Sequence, residues 1–103
     1  PMNALRDGQS MPVRVDGTEV LLCRVDGAFF AVGNYCTHAR QALHTGRLRG
    51  YEVTCPLHGA RFDVRDGRCV KGPAVQAVPT YRVFVEGGKV NVSVGGNRGK
   101  GPP

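Results

Sequence analysis

Two short matched segments constrain this chain more than anything else in it. Cys36-Thr37-His38 is followed by sixteen residues and then by Cys55-Pro56-Leu57-His58-Gly59. Each segment offers one thiol and one imidazole. Thiolate and imidazole are soft or borderline ligands that suit iron–sulfur clusters and zinc, whereas calcium and magnesium select oxygen. A lone Cys-x-His says little, but Cys-x-His followed by Cys-x-x-His in one small chain predicts a metal centre held by Cys36, His38, Cys55 and His58. A structural zinc site accepts the same four donors, so the residue types alone leave zinc and an iron–sulfur cluster both open.

What can surround such a centre is limited by size. At 103 residues the chain has room for one modest core. Tryptophan is absent and only four phenylalanines are present, so valine and leucine must carry the packing, and fifteen glycines with seven prolines favour turns and short strands. Four cysteines in a short chain can signal a disulfide framework. Here Cys36 and Cys55 stand beside histidines, and Cys23 and Cys69 lie in apolar, strand-like surroundings. The latter two read as buried small hydrophobes, and all four fit a reducing cytoplasm. Apolar runs such as Val20 to Cys23 and Ala28 to Val32 fall far short of the roughly twenty residues that span a bilayer. No basic segment followed by an apolar stretch opens the chain, so the expectation is a cytoplasmic protein with no membrane association.

Before the metal motif the pattern is a β-meander. Met11 to Val15 alternates apolar and polar residues, Asp16-Gly17 suits a tight turn, Thr18 to Val25 is a second strand, Asp26-Gly27 a second turn and Ala28 to Val32 a third strand. After the motif, Asp66-Gly67 and Gly87-Gly88 mark turns, and Tyr81 to Val85 with Lys89 to Val94 forms a closing hairpin. No segment sustains helical periodicity. The expected fold is all-β, a small antiparallel sandwich or barrel with the metal-binding part, about residues 34–75, inserted as loops. Residues 1–94 form one domain in this reading. The tail 95–103 has no anchoring apolar residue and reads as disordered.

The pattern C-x-H…C-P-x-H-G-x-x-F-D, running from Cys36 to Asp63, resembles the cluster-binding signature of Rieske iron–sulfur proteins. The resemblance extends from about Leu5 to Val94. It includes Ala31 to Asn34, Leu43 and Gly46, Ala60 to Asp63, and Gly72-Pro73-Ala74, which in the family forms a third loop over the cluster. It implies a 2Fe–2S centre in which Cys36 and Cys55 hold the buried iron while His38 and His58 hold the outer one. Within the family the chain is similar to the ferredoxins of multicomponent aromatic-ring dioxygenases. That implies a soluble, monomeric electron carrier, not itself an enzyme, between a flavin-dependent ferredoxin reductase and a terminal Rieske non-haem iron oxygenase. A Rieske subunit or domain of another redox complex is the alternative. The family usually opens with one more strand before the segment matching Leu5 to Gly8, and few residues precede Leu5 here.

High-potential members carry hydroxyl donors at the positions of Ala60 and Phe62, and tie their loops by cysteines at the positions of Gln41 and Leu57. This chain has neither device, which implies a low potential. His44 reads as a solvated loop histidine in preference to a third ligand or proton relay. Asp63 either orients a ligand loop or caps a turn. A non-haem iron oxygenase needs two histidines and a carboxylate, and once His38 and His58 are assigned only His44 is left. Net charge is +6, with seven basic and three acidic residues between Cys36 and Lys71. The expectation is a basic docking face beside the cluster, chiefly Arg40 and Arg61, that steers acidic partners. Basic residues scattered through loops with few interleaved aromatics argue against nucleic acid.

Overall fold

The hairpins follow directly from their turn chemistry. In the computed structural model, which describes residues 5–36, 42–56, 59–72 and 76–94, strands β1 (Gln9–Val15), β2 (Thr18–Val25) and β3 (Ala28–Gly33) form a meander. Asp16 and Gly17 have φ of 49° and 81°, and Asp26 and Gly27 have 52° and 79°. Two successive positive φ values define the type I′ turn, whose twist matches that of the flanking strands. Gly87 and Gly88, at 58° and 76°, do the same between β8 (Thr80–Glu86) and β9 (Lys89–Ser93). These five strands make one antiparallel sheet in the order β1-β2-β3-β8-β9.

Chain between β3 and β8 builds a second sheet. Its strands are β4 (Arg47–Arg49), β5 (Glu52–Thr54), β6 (Arg61–Asp63) and β7 (Cys69–Lys71), in sequential antiparallel order. The sequence reading expected loops here. Each strand is three residues long, too short for alternation to register as a pattern. A short 3₁₀ helix, Leu43–Thr45, precedes β4. The all-β expectation holds for the described residues, and no helix among them is long and apolar enough to cross a membrane.

Strand β2 sits between two cores, which explains its unbroken apolar run. Val20 and Leu22 pack on one face with Leu5, Ala31 and partly buried valines of β1, β8 and β9. Leu21 and Cys23 face the other way, into a core shared with Val32, Leu43, Val53, Phe62, Val64 and Val78. That second core joins the two sheets, and it also contains Cys36 and Cys55. At roughly 1.5–3 kcal/mol per fully buried aliphatic or aromatic side chain, it is the main force holding the inserted sheet to its base. Phe30, Tyr51 and Arg65 add a stacked bridge across the join. The Phe30 and Tyr51 rings meet edge to face at 5.8 Å, and the Arg65 guanidinium lies 4.1 Å from the centre of the Tyr51 ring.

The departure from the family's opening strand and the expectation of a disordered tail concern residues 1–4 and 95–103, which lie outside the described residues.

Candidate metal centre

Each candidate metal-binding segment is flanked at its neck by hydrogen bonds beside its cysteine. For the first loop, Tyr35 and Ala42 form an isolated antiparallel bridge, and the Leu43 amide donates to the Asn34 carbonyl at 2.7 Å. The buried Asn34 side chain reinforces this closure. Its Oδ1 accepts from the His44 amide at 3.0 Å, and its Nδ2 lies 2.9 Å from His44 Nδ1. Because Oδ1 is the acceptor, Nδ2 is the donor, so His44 Nδ1 must accept and the ring proton must sit on Nε2. For the second loop, the Cys55 amide donates to Ala60 O at 2.7 Å and the Gly59 amide to Cys55 O at 3.0 Å. Thr54 and Arg61 pair across the loop's base.

Cys36 and Cys55 therefore sit at the two necks. Both side chains are wholly buried, both belong to the core that joins the sheets, and none of the four cysteines is in a disulfide. His38 and His58 lie outside the described residues, as do Arg40, Gln41, Leu57 and the tip residues Pro73 and Ala74 of the third loop. Gly72, at the start of that third loop, packs directly on the second. A side-chain carbon added there would fall 2.8 Å from Ala60 Cα, and the residue's φ of 114° is one that only glycine adopts without strain. Ala60 and Phe62 are completely buried and carry no hydroxyl.

The remaining cysteines divide. Cys23 is buried in β2, and burial pushes its thiol up to about 12. Without a thiolate it is chemically quiet. Cys69, expected to be buried too, is only half-buried, because it lies on the last strand of the inserted sheet.

Two further residues are placed differently from, or more definitely than, the sequence suggested. His44 is exposed but is no freely solvated loop residue, since both its backbone and its ring are tied to Asn34. Its partner lies ten positions away, and nothing in the local sequence pairs them. Asp63 resolves as a turn cap. Its Oδ1 accepts from the Arg65 amide at 2.9 Å and from Arg65 Nε at 3.0 Å, and its Oδ2 accepts from Arg65 Nη2 at 2.7 Å. That bidentate grip holds the Asp63 carboxyl below the usual carboxylate range, against the opposing effect of burial.

Two sheltered cysteines outside any disulfide, each at the neck of a hydrogen-bonded loop and both in one core, fit an iron–sulfur cluster bound through buried thiolates. The donors alone would also accept zinc. Comparison with known proteins agrees with the cluster. The Rieske [2Fe-2S] domain family matches residues 1–82. The ferredoxin component of a naphthalene 1,2-dioxygenase system from Pseudomonas aeruginosa is 40% identical over 88 residues, covering 85% of each chain. Among solved structures, the ferredoxin of carbazole 1,9a-dioxygenase from Nocardioides aromaticivorans IC177 superposes with a TM-score of 0.86 at 36% identity, over 89% of this chain and 90% of that one. A complex of reduced oxygenase and oxidized ferredoxin from a carbazole 1,9a-dioxygenase matches at a TM-score of 0.84 and 30% identity, over 89% and 86% of the two chains. With its paired loops, its buried cysteines and a family match across most of its length, the chain belongs to the Rieske [2Fe-2S] family and carries a cluster of that type.

Proposed function

We propose that this chain is the ferredoxin of an aromatic-ring dioxygenase system, cytoplasmic and monomeric. It takes single electrons from a flavin-dependent reductase and delivers them to a terminal oxygenase. In this reading Cys36 and Cys55 hold the inner iron and His38 and His58 the outer one. The observation that carries the assignment is the placement of Cys36 and Cys55 at two hydrogen-bonded necks within one core. The similarity to ferredoxin components of naphthalene and carbazole dioxygenases supports the choice of system.

The bound cluster supplies a one-electron couple. The chain's own residues do the rest. Burial of Cys36 and Cys55 keeps water from the sulfur side. Gly72, having no side chain, lets its own backbone lie directly against Ala60 at the base of the second loop. Ala60 and Phe62 present apolar surface where a hydroxyl would otherwise stabilise added negative charge. Four cysteines without a disulfide suit a reducing compartment.

The test is direct. Purified protein should be brown, with iron and acid-labile sulfide in about equal amounts, and should pass electrons from a dioxygenase reductase to its oxygenase. His38→Ala combined with His58→Ala should abolish the visible spectrum. An unchanged spectrum in that double variant defeats the ligand assignment, and zinc in place of iron defeats the function.

A further inference from the structure

The inserted sheet places three of the four cations on its strands in a row, the fourth, Arg49, pairing with Glu52. Register pairs Arg47 on β4 with Thr54 on β5, Thr54 with Arg61 on β6, and Arg61 with Lys71 on β7. The next register row, Leu48, Val53, Phe62 and Cys69, points toward the core, so the cationic row stands on the outer face. At the β6–β7 step the register shifts, and a bulge of this kind turns neighbouring side chains the same way. Val70 and Lys71 are accordingly both exposed. With strands about 4.8 Å apart, three steps spread the row over about 14 Å.

Three features separate this row from scattered surface charge. First, it crosses the base of the second metal-binding loop, since Thr54 precedes Cys55 and Arg61 follows Ala60. Second, its charge is mostly uncompensated. Arg61 lies 3.5 Å from Glu52, whereas Arg47 and Lys71 have no acidic partner among the described residues. Third, one end of the row opens on a depression of about 380 Å³ lined by Thr45, Gly46, Arg47, Thr54 and Pro56. Pro56 directly follows the buried Cys55, so the hollow adjoins the loop itself.

We propose that this outer face is the docking surface for the terminal oxygenase, and that a carboxylate of the oxygenase seats in the hollow against Arg47. The proposal rests on the electron-carrier reading above and deepens it. It moves the weight of docking from Arg61, which already has Glu52, to Arg47 and Lys71. Exposed charges at an interface rim act chiefly on encounter and orientation, which is what a carrier with many turnovers requires.

A fluorescein-labelled 20-residue polyglutamate serves as a carboxylate probe, with binding to the cluster-loaded protein followed by anisotropy at low salt. Arg47→Glu with Lys71→Glu should weaken binding by about tenfold or more, and Arg47→Gln with Lys71→Gln by less. Arg6→Glu with Arg82→Glu changes net charge equally on or beside the other sheet, and should cost no more than about twofold. Oxidation of the reduced protein by hexacyanoferrate(III), which accepts one electron to give hexacyanoferrate(II), should slow in the same order. Equal losses in both charge-reversed pairs reduce the effect to net charge and overturn the row. Lost polyglutamate binding with an unaltered hexacyanoferrate rate places the row away from the electron's exit and overturns the docking role. A wild-type protein lacking any reversible one-electron couple overturns the carrier reading instead, and potentiometry on that protein alone tells the two failures apart.

Discussion

Asn34 illustrates how one buried amide can hold a metal-binding loop shut. Its backbone carbonyl, side-chain oxygen and side-chain nitrogen all engage Leu43 or His44, spanning the loop that starts at Cys36. Leaving such partners unsatisfied costs about 1–3 kcal/mol each when they are buried. Asn34→Ala should therefore lower stability by about 1–3 kcal/mol in chemical denaturation and speed loss of iron to a chelator. An iron-release rate equal to wild type would show that the neck is not held by this residue. At Ala60 and Phe62 the expectation concerns potential. Without hydroxyl donors the centre should sit near the lower end of the Rieske range, about −150 mV, and Ala60→Ser with Phe62→Tyr should raise it. A wild-type value well above zero in a redox titration contradicts this. Asn34 and His44 were legible only as separate residues, because a side-chain contact across ten positions leaves no periodic trace.

At the scale of elements, the turn between β6 and β7 is held by ion pairs, of which Arg65–Asp63 at 2.7 Å is the tightest and Arg68 to Asp63 and to Asp66 at 3.9 Å are looser. The Arg65 side chain donates to the buried Asp63 carboxylate while its guanidinium covers Tyr51, whose ring meets Phe30 of the basal sheet. The folded Asp63 pKa is depressed, chiefly by the hydrogen bond from Arg65. A depressed carboxyl contributes stability that is fully present above its unfolded pKa, about 3.9, and is lost as pH falls through the folded value. Arg65 is largely exposed, so solvent screens part of the gain. Asp63→Asn should lower stability at pH 7 and flatten the decline below about pH 4, as read from thermal melts across pH. An acid limb as steep as wild type assigns the decline to other carboxylates. The long hairpins were readable from Asp-Gly and Gly-Gly turns flanked by alternating residues. Strands β4 to β7 were not, because three residues give at most one alternation and their pairing is set by the core beneath them.

Across the whole molecule, legibility followed chemistry more closely than geometry. The paired Cys-x-His and Cys-x-x-His segments announced the centre, and the family match agrees with them. The position of the basic surface was not readable, because register between short strands decides which cations share a face. Arg61 was singled out by its nearness to the motif, yet it is Arg47 and Lys71 that stand without acidic neighbours among the described residues.

The basal sheet is joined at its middle by a short seam: β3 and β8 pair at Ala31–Tyr81 and Val32–Thr80, with the Gly33 amide donating to the Pro79 carbonyl at 2.9 Å beside them, and residues 34–79 run between the strands. Closing an excursion of that length costs on the order of 3 kcal/mol in chain entropy, which the seam and the packing around it must offset. In the proposed assignment a cluster held by Cys36 and Cys55 would pin two points within the excursion and so shorten the chain that must be ordered. Metal loading should thus be felt far from the metal. In hydrogen exchange, apoprotein should keep protected amides in the β1–β2–β3 meander while those of β8 lose protection, and reconstitution should restore them. Uniform protection in the two forms would mean that the strands of the base find one another without help from the cluster.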